Sequence, residues 1–215
     1  MVDKPPSSDS EAGSPRVRMS GSQRREQLIG VARKLFAKKG YEAVSVEEIA
    51  SEAKVSKPVV YEHFGGKEGL YAVIVDREMN NLLNRIVSSL TGDHPRLLLE
   101  QAGFALFDYI EDETDGFRIL VRDSPVSQSS GSFASLIVEV ATETDHILAE
   151  QFKKRGFNPK YSQMYSQMLV GMVALTGQWW LDARKPGKDK VVANLVNLAW
   201  NGLSHLNSSP KLTTR

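Results

Sequence analysis

The chain contains no cysteine among its 215 residues, and this absence removes several kinds of chemistry. Disulfide bonds, thiolate nucleophiles and cysteine-ligated zinc are all excluded. No apolar run approaches the length of about 20 residues that spans a bilayer, and the amino terminus lacks the apolar core of a signal peptide. We therefore expect a cytoplasmic protein whose hydrophobic residues, 41% of the chain, build a sizeable core.

Catalytic and metal-binding patterns are also missing. The four histidines, His63, His94, His146 and His205, are scattered and form no helical HxxxH pair. The glycine motifs GxGxxG and GxxxxGK[ST], which cradle phosphates, do not occur. The sequence therefore predicts no enzymatic activity, no metal site and no cofactor.

The most informative stretch covers residues 45–71, SVEEIASEAKVSKPVVYEHFGGKEGLY. Ser45 and Glu48 have the spacing of a capping box, which predicts a helix that begins at Val46. Four apolar residues then recur at helical spacing, namely Val46, Ile49, Ala50 and Ala53. Ser56 is placed to cap a second helix that has Pro58 in its first turn.

The second helix exposes an unusual mixture of side chains. Val60 and Phe64 lie four residues apart and can share a buried face, which leaves five residues pointing largely outward: Lys57, Pro58, Val59, Tyr61 and His63. Soluble helices normally expose long charged residues, whereas this mixture suits base edges, thymine methyl groups and phosphates. Two short helices joined by a three- to four-residue turn match a helix-turn-helix. The alternative is a compact helical hairpin in which Tyr61 and His63 pack on neighbouring residues.

Positive charge is concentrated around this stretch. Residues 16–67 contain eleven lysines or arginines against six acidic residues, while the whole chain has a net charge of only +1. A patch of this kind favours phosphate binding, and it is also common on solvated surfaces. Residues 1–21 show no periodicity and are expected to be disordered; Arg16 and Arg18 in this segment either form an arm that reaches the minor groove or belong to an untethered tail.

From about Arg24 to Tyr71 the chain resembles the DNA-binding region of TetR-family transcriptional regulators. The resemblance is carried by ARKLFAKKGYEAVSVEEIASEAKVSKPVVYEHFGGKEGLY, which is roughly a fifth of the chain. It implies that Lys67 grips a phosphate, and the sequence departs from the family pattern at Gly66, where a serine cap is frequent. The expected DNA contacts are Ser45, Val46, Lys57, Pro58, Val59, Tyr61, His63 and Lys67.

Helical periodicity continues through the rest of the chain, and no alternating pattern is long enough for a strand. We therefore predict an all-α fold. A disordered tail (1–21) precedes an N-terminal three-helix helix-turn-helix DNA-binding domain (22–66). A larger helical ligand-binding and dimerisation domain (67–206) and a short C-terminal tail (207–215) follow. Predicted helices in the larger domain cover residues 67–90, 94–111, 117–121, 133–154, 158–184 and 188–205, with a loop at 124–132.

The last two long helices are apolar on more than one side, which indicates burial on more than one side. In the first of them Met164, Met168, Met172, Leu175 and Trp179 form a stripe. An intramolecular core could account for it. The family resemblance instead implies a homodimer in which the two helices form a four-helix bundle with their twofold-related copies.

An effector site is expected inside the larger domain. Aromatic, aliphatic and methionine side chains could line an apolar cavity, although each is equally typical of ordinary core packing: Phe104, Phe107, Phe117, Leu120, Phe133, Ile137, Met168, Met172 and Trp179. Two further stretches, residues 104–123 and 169–206, resemble the FasR type of TetR-family regulator.

That resemblance implies control of fatty-acid synthesis genes in response to a long-chain acyl-CoA. The sequence therefore predicts a ligand-responsive regulator that binds double-stranded operator DNA and has no membrane partner. Its expected effector is a small hydrophobic molecule such as acyl-CoA. A TetR-type repressor of an efflux or catabolic operon with another effector is the alternative. A hydrophobic-ligand carrier or an enzyme without DNA binding is the third interpretation. The residues do not decide between repressor and activator.

Overall fold

A computed structural model describes residues 19–122 and 133–213, and within these ranges the chain is helical with no strand. The helices are α1 (Gly21–Lys39), α2 (Val46–Glu52), α3 (Lys57–Phe64), α4 (Lys67–Ser89), α5 (Pro95–Asp112), α6 (Thr114–Val121), α7 (Phe133–Lys154), α8 (Ser162–Ala183) and α9 (Lys188–Ser204). A 3-10 turn, Pro159–Tyr161, precedes α8. The predicted all-α fold is confirmed. The proposed arm at Arg16 and Arg18 and the loop at 124–132 lie outside the described residues.

The first three helices form an N-terminal unit (α1–α3) around a small apolar core. Side chains from all three helices are almost fully removed from solvent, among them Leu28, Phe36, Ile49 and Val60. The predicted start of α2 at Val46 is correct, because the Ser45 hydroxyl accepts a hydrogen bond from the Glu48 amide at 3.1 Å. The reciprocal half of the capping box is replaced by an ion pair between Glu48 and Lys39 (2.5 Å).

The α2–α3 turn has the predicted length, but its cap differs from the prediction. Ser56 occupies the N-cap position of α3 without a side-chain hydrogen bond, and Pro58 lies in the first turn, where its missing amide costs little. Gly65 ends α3 in the left-handed conformation (φ +73°), which glycine adopts without strain, and its amide donates to the Tyr61 carbonyl. Helix α4 then begins two residues later, at Lys67.

The remaining helices form a C-terminal domain (α4–α9). Helix α4 packs on α5, α5 packs on α9, and α7 pairs with α8. The core includes Leu82, Phe107, Ile110, Trp180 and Val192, each with 2% or less of its surface exposed. Because α4 begins immediately after α3 and continues for 23 residues, one helix connects the N-terminal unit to the C-terminal core. At 1.5 Å per residue it is about 35 Å long.

Two predicted boundaries in this domain differ from the structure. The short helix expected to follow Gly116 begins at Thr114, so that Gly116 lies inside α6. The helix expected from Asn158 is divided into the 3-10 turn and α8, because Asn158 caps the turn through Lys160. Helix α7 has the predicted bounds.

Candidate nucleic-acid interface

Helix α3 is held by one face and leaves the other open. Val60 is fully buried, and Phe64 is half-buried beneath the guanidinium group of Arg25, whose central carbon lies 4.8 Å from the ring centroid. On the opposite side Tyr61 is 47% exposed, and Lys57 and Pro58 are exposed as well. An eight-residue helix anchored in this way presents its outer side chains rigidly to a partner.

The outer face of α3 carries its cation beside an aromatic ring. Lys57 Nζ lies 5.9 Å from the ring centroid of Tyr61 and forms an ion pair with Glu47 of α2. The hydrogen bond and charge of this pair lower the pKa of Glu47 and raise the pKa of Lys57. Both side chains are solvent-exposed, so the pair is free to exchange for a phosphate contact.

The other expected DNA contacts are placed less uniformly. Val59 and His63 are half-buried on α3. Ser45 caps α2, and Val46 is only 8% exposed, so the Val46 side chain offers little surface to DNA. Lys67 Nζ donates to the Tyr41 carbonyl at 3.0 Å and lies 4.1 Å from the Tyr41 ring centroid. Of the predicted contacts, Lys57 and Tyr61 are therefore the exposed pair whose proximity the structure shows directly.

Sequence reasoning missed two participants at this surface. Glu47 is not among the predicted DNA contacts, yet it pairs with Lys57. Tyr41 was not considered, although it holds Lys67 and stacks edge-on against Tyr71 at 4.8 Å between ring centroids. For the Glu47–Lys57 pair, the sequence shows only two opposite charges ten residues apart.

An apolar cavity of about 110 Å³ lies between α4, α5, α7 and α8. Its lining contains a single hydroxyl and no charged group: Leu82, Ile86, Leu99, Ala102, Leu106, Phe133, Leu136, Ile137, Val140, Thr144, Leu169, Val170, Val173 and Ala174. Of the nine residues expected around an effector, Phe133 and Ile137 line this cavity. The lining residues of α4 and α5 were not predicted, because apolar residues four apart on a helix give the same sequence pattern whether they face a cavity or a packed core.

The other seven expected effector residues lie elsewhere. Phe107, Phe117 and Leu120 are packed in the core. Phe104 borders surface clefts beside α5, and Met172 is half-buried against the core. Met168 (57% exposed) and Trp179 (52% exposed) point outward from α8.

Helices α8 and α9 both expose large apolar side chains, and we call this set of residues the α8–α9 face. It consists of large hydrophobic side chains that are each about half or more exposed: Met164, Met168, Leu175, Trp179 and Leu198. Isolated exposed apolar residues are ordinary, but an aligned set at helical spacing is typical of a protein interface. None of the helices in the described ranges has the length and hydropathy of a membrane span, and no cluster of potential metal ligands occurs in those ranges.

These features define a class of protein. In the N-terminal unit, the short helix α3 follows a tight turn after α2 and exposes its outer face. This unit is joined to an all-helical domain, and the combination is the architecture of a helix-turn-helix DNA-binding regulator. Residues 28–74 match the family model for bacterial regulatory proteins of the tetR family, and residues 113–213 match the tetracyclin repressor-like C-terminal domain. The chain belongs to the TetR family of transcriptional regulators.

Individual relatives support this assignment. The chain is 34% identical over 193 residues to the HTH-type transcriptional activator FasR of Mycolicibacterium smegmatis. The matched region covers 88% of this chain and 87% of that protein. It is also similar in fold to a TetR-like transcriptional regulator from Rhodococcus sp. RHA1 (TM-score 0.73, 23% identity, 88% of this chain and 100% of that one). A third similarity, again in fold, is to the fatty acid degradation regulator FadR from Bacillus halodurans (TM-score 0.68, 18% identity, covering 91% of this chain and 100% of that one).

Membership in this family establishes what the chain does in general terms. It is a DNA-binding transcriptional regulator and not an enzyme. The predicted family, the fold and the regulatory role are therefore confirmed. The individual DNA and effector contacts remain predictions.

Proposed function

We propose that this protein is a homodimeric regulator that acts in the cytoplasm and controls genes of lipid or fatty-acid metabolism in response to a long hydrophobic effector, such as a long-chain acyl-CoA. Its output is operator binding by α3, with Lys57, Tyr61 and His63 directed at the major groove and Lys67 at a phosphate. The similarity to FasR over most of the chain supports the class of regulated genes.

The observation that carries the proposal is the course of α4. Its first residue, Lys67, lies beside the DNA-facing end of the N-terminal unit, and Leu82 and Ile86 of the same helix line the apolar cavity. A helix is stiff along its axis, so a displacement at the cavity is transmitted to the start of α4 and to α3. One helix therefore links the effector site to the DNA-binding surface.

The small size of the cavity supports this linkage. A volume of about 110 Å³ is well below the roughly 300–1,000 Å³ of typical small-molecule sites. A long acyl chain fits only if the walls move apart. Since α4 is one of the walls, effector binding and movement of α4 are coupled, and the effector shifts the population between two arrangements of the N-terminal units.

A homodimer completes the proposal, because one recognition helix reads only a few base pairs. Two copies of α3 held about 34 Å apart reach successive major grooves on one side of the duplex. The α8–α9 face is the surface that would pair with its twofold copy. Burial of this face removes five large apolar side chains from water on each protomer.

The test is a titration of the dimer–operator complex with acyl-CoAs of increasing chain length, using free CoA and a short-chain acyl-CoA as controls. DNA affinity should change with long chains only, because the cavity lining offers hydrocarbon contacts and no ionic partner. A change of similar size with free CoA would refute the hydrophobic effector. Binding of the long-chain compound without any effect on DNA affinity would refute the linkage through α4.

A further inference from the structure

Helix α6 is attached to α1 by polar contacts at both of its ends. Glu113, which immediately precedes α6, accepts a hydrogen bond from Arg33 Nη2 of α1 at 2.7 Å. Arg122, which immediately follows α6, donates through Nη1 to the Ala37 carbonyl of α1 at 2.9 Å. Because positions 33 and 37 are one helical turn apart, both attachments lie on the same face of α1. We call these two contacts the α6 clamp.

The middle of the clamp is a close helix contact at Gly116, where a larger side chain would displace the buried Arg33–Glu78 pair. A Cβ atom built on Gly116 would lie 2.0 Å from Oε2 of Glu78 and 2.7 Å from Nη2 of Arg33. Glu78 belongs to α4 and is only 8% exposed. It pairs with Arg33 Nε at 2.7 Å and accepts a hydrogen bond from the Tyr109 hydroxyl at 2.6 Å. Four segments of the chain therefore meet at one buried charged group.

The charges in this cluster hold each other in place. Burial by itself would lower the pKa of Arg33, but hydrogen bonds and charges from Glu78 and Glu113 outweigh it and raise that pKa. Burial and the neighbouring carboxylate of Glu78 raise the pKa of Tyr109, so its hydroxyl remains a donor. A buried ion pair with all its partners satisfied fixes geometry more strictly than apolar packing does, because its hydrogen bonds are directional.

Helix α6 also contacts a residue of the cavity wall. The Phe117 ring lies edge-on to the Phe133 ring, with 5.4 Å between the centroids, and Phe133 lines the cavity. Through Phe117 and the clamp, α6 thus forms a second connection from the cavity wall to the N-terminal unit, separate from α4. This connection ends at the C-terminal half of α1 and does not pass through α3.

We propose that Arg33, Glu113 and Arg122 are positioning residues for DNA recognition: the α6 clamp sets the angle between the N-terminal unit and the C-terminal domain. None of the three lies on the outer face of α3. They act by holding α1, and with it α3, in one orientation. The inference rests on DNA binding by this family but not on the identity of the effector.

The orientation can be measured directly, because the chain has no native cysteine. Exposed Glu62 of α3 and exposed Glu150 of α7 are replaced by cysteine and spin-labelled, and their separation is measured by double electron–electron resonance in an excess of unlabelled protein. This measurement requires neither DNA nor effector. It is made on the parent protein, on Glu113→Gln and on the matched control Asp112→Asn.

The control variant changes the neighbouring acidic residue, which does not hold Arg33. Asp112 pairs with Arg85 of α4 at 2.9 Å and makes no contact with α1 among the described interactions, whereas Glu113 contacts Arg85 only at 3.7 Å and holds Arg33. Glu113→Gln should broaden the distance distribution and weaken operator binding about tenfold, with the salt dependence unchanged because no phosphate contact is lost. Asp112→Asn should leave the distances and the affinity unchanged.

A second variant, Arg122→Met, removes the other end of the clamp and should broaden the distribution in the same way. If both variants lower the thermal unfolding temperature while the distances and the operator affinity match those of Asp112→Asn, the clamp only stabilises the fold and the proposal is wrong. Failure of the parent protein to prefer its operator over random DNA would instead contradict the proposed function, and the distance measurement would still decide the role of the clamp.

Discussion

Replacing Leu175 by alanine should weaken the proposed dimer by one to three orders of magnitude. Leu175 is 64% exposed in the protomer and is one of the five side chains of the α8–α9 face. Full burial of a leucine side chain stabilises by about 1.5–3 kcal/mol, so burial of the exposed two thirds contributes about 1–2 kcal/mol. Leu175 occurs twice in a twofold interface, so the loss of dimerisation free energy is about 2–4 kcal/mol. This loss corresponds to a roughly 30- to 700-fold increase in the dissociation constant.

Sedimentation equilibrium over a range of protein concentrations measures this constant directly. The matched control is Val138→Ala, because Val138 is similarly exposed (56%) but lies on α7, outside the α8–α9 face. The control should dimerise as the parent does. A Leu175→Ala dimer that is as tight as the parent, or a Val138→Ala dimer that is equally weakened, would refute the assignment of the interface to this face.

Three further outcomes test other parts of the structure. Lys67→Ala should weaken binding to all DNA sequences and reduce the slope of log affinity against log salt by roughly one unit; an unchanged slope would leave Lys67 with only its contact to Tyr41. Tyr61→Ala should reduce binding to the cognate operator more than to random DNA, as competitive gel-shift assays would show, and equal losses would make Tyr61 a packing residue. Gly30 is exposed on α1, and a Cβ atom there would meet no other atom within 4 Å, so Gly30→Ala should raise the free energy of unfolding in urea by about 0.5–1 kcal/mol. Gly116→Ala should lower it, because the added Cβ would collide with Glu78 and Arg33.

Much of the fold was predictable because capping and periodicity are local properties. The start of α2 at Val46 and the bounds of α7 follow from residues a few positions apart, and the structure confirms both. The end of α3 at Gly65 follows equally from the need for a left-handed residue there. Predictions of this kind require no knowledge of the tertiary structure.

The contacts that matter for the site were less accessible, since they join residues far apart in sequence. The short helix was expected to begin after Gly116, but Gly116 lies within α6, where the Arg33–Glu78 pair occupies the space that a side chain would need. The effector residues show the same difficulty. Phe117 and Met168 both recur at helical spacing, yet one is buried and the other is 57% exposed, and only the packing of neighbouring helices distinguishes them.

The central claim is that α3 of a dimer recognises a specific DNA sequence. The most direct measurement is the affinity of the purified protein for the DNA that flanks its own gene, compared with a random duplex of equal length at several salt concentrations. We predict tighter binding to the flanking DNA, an affinity that falls steeply with salt on both duplexes, and loss of the preference in Tyr61→Ala. Equal affinity for the two duplexes, or a preference that survives Tyr61→Ala unchanged, would contradict recognition through this face of α3.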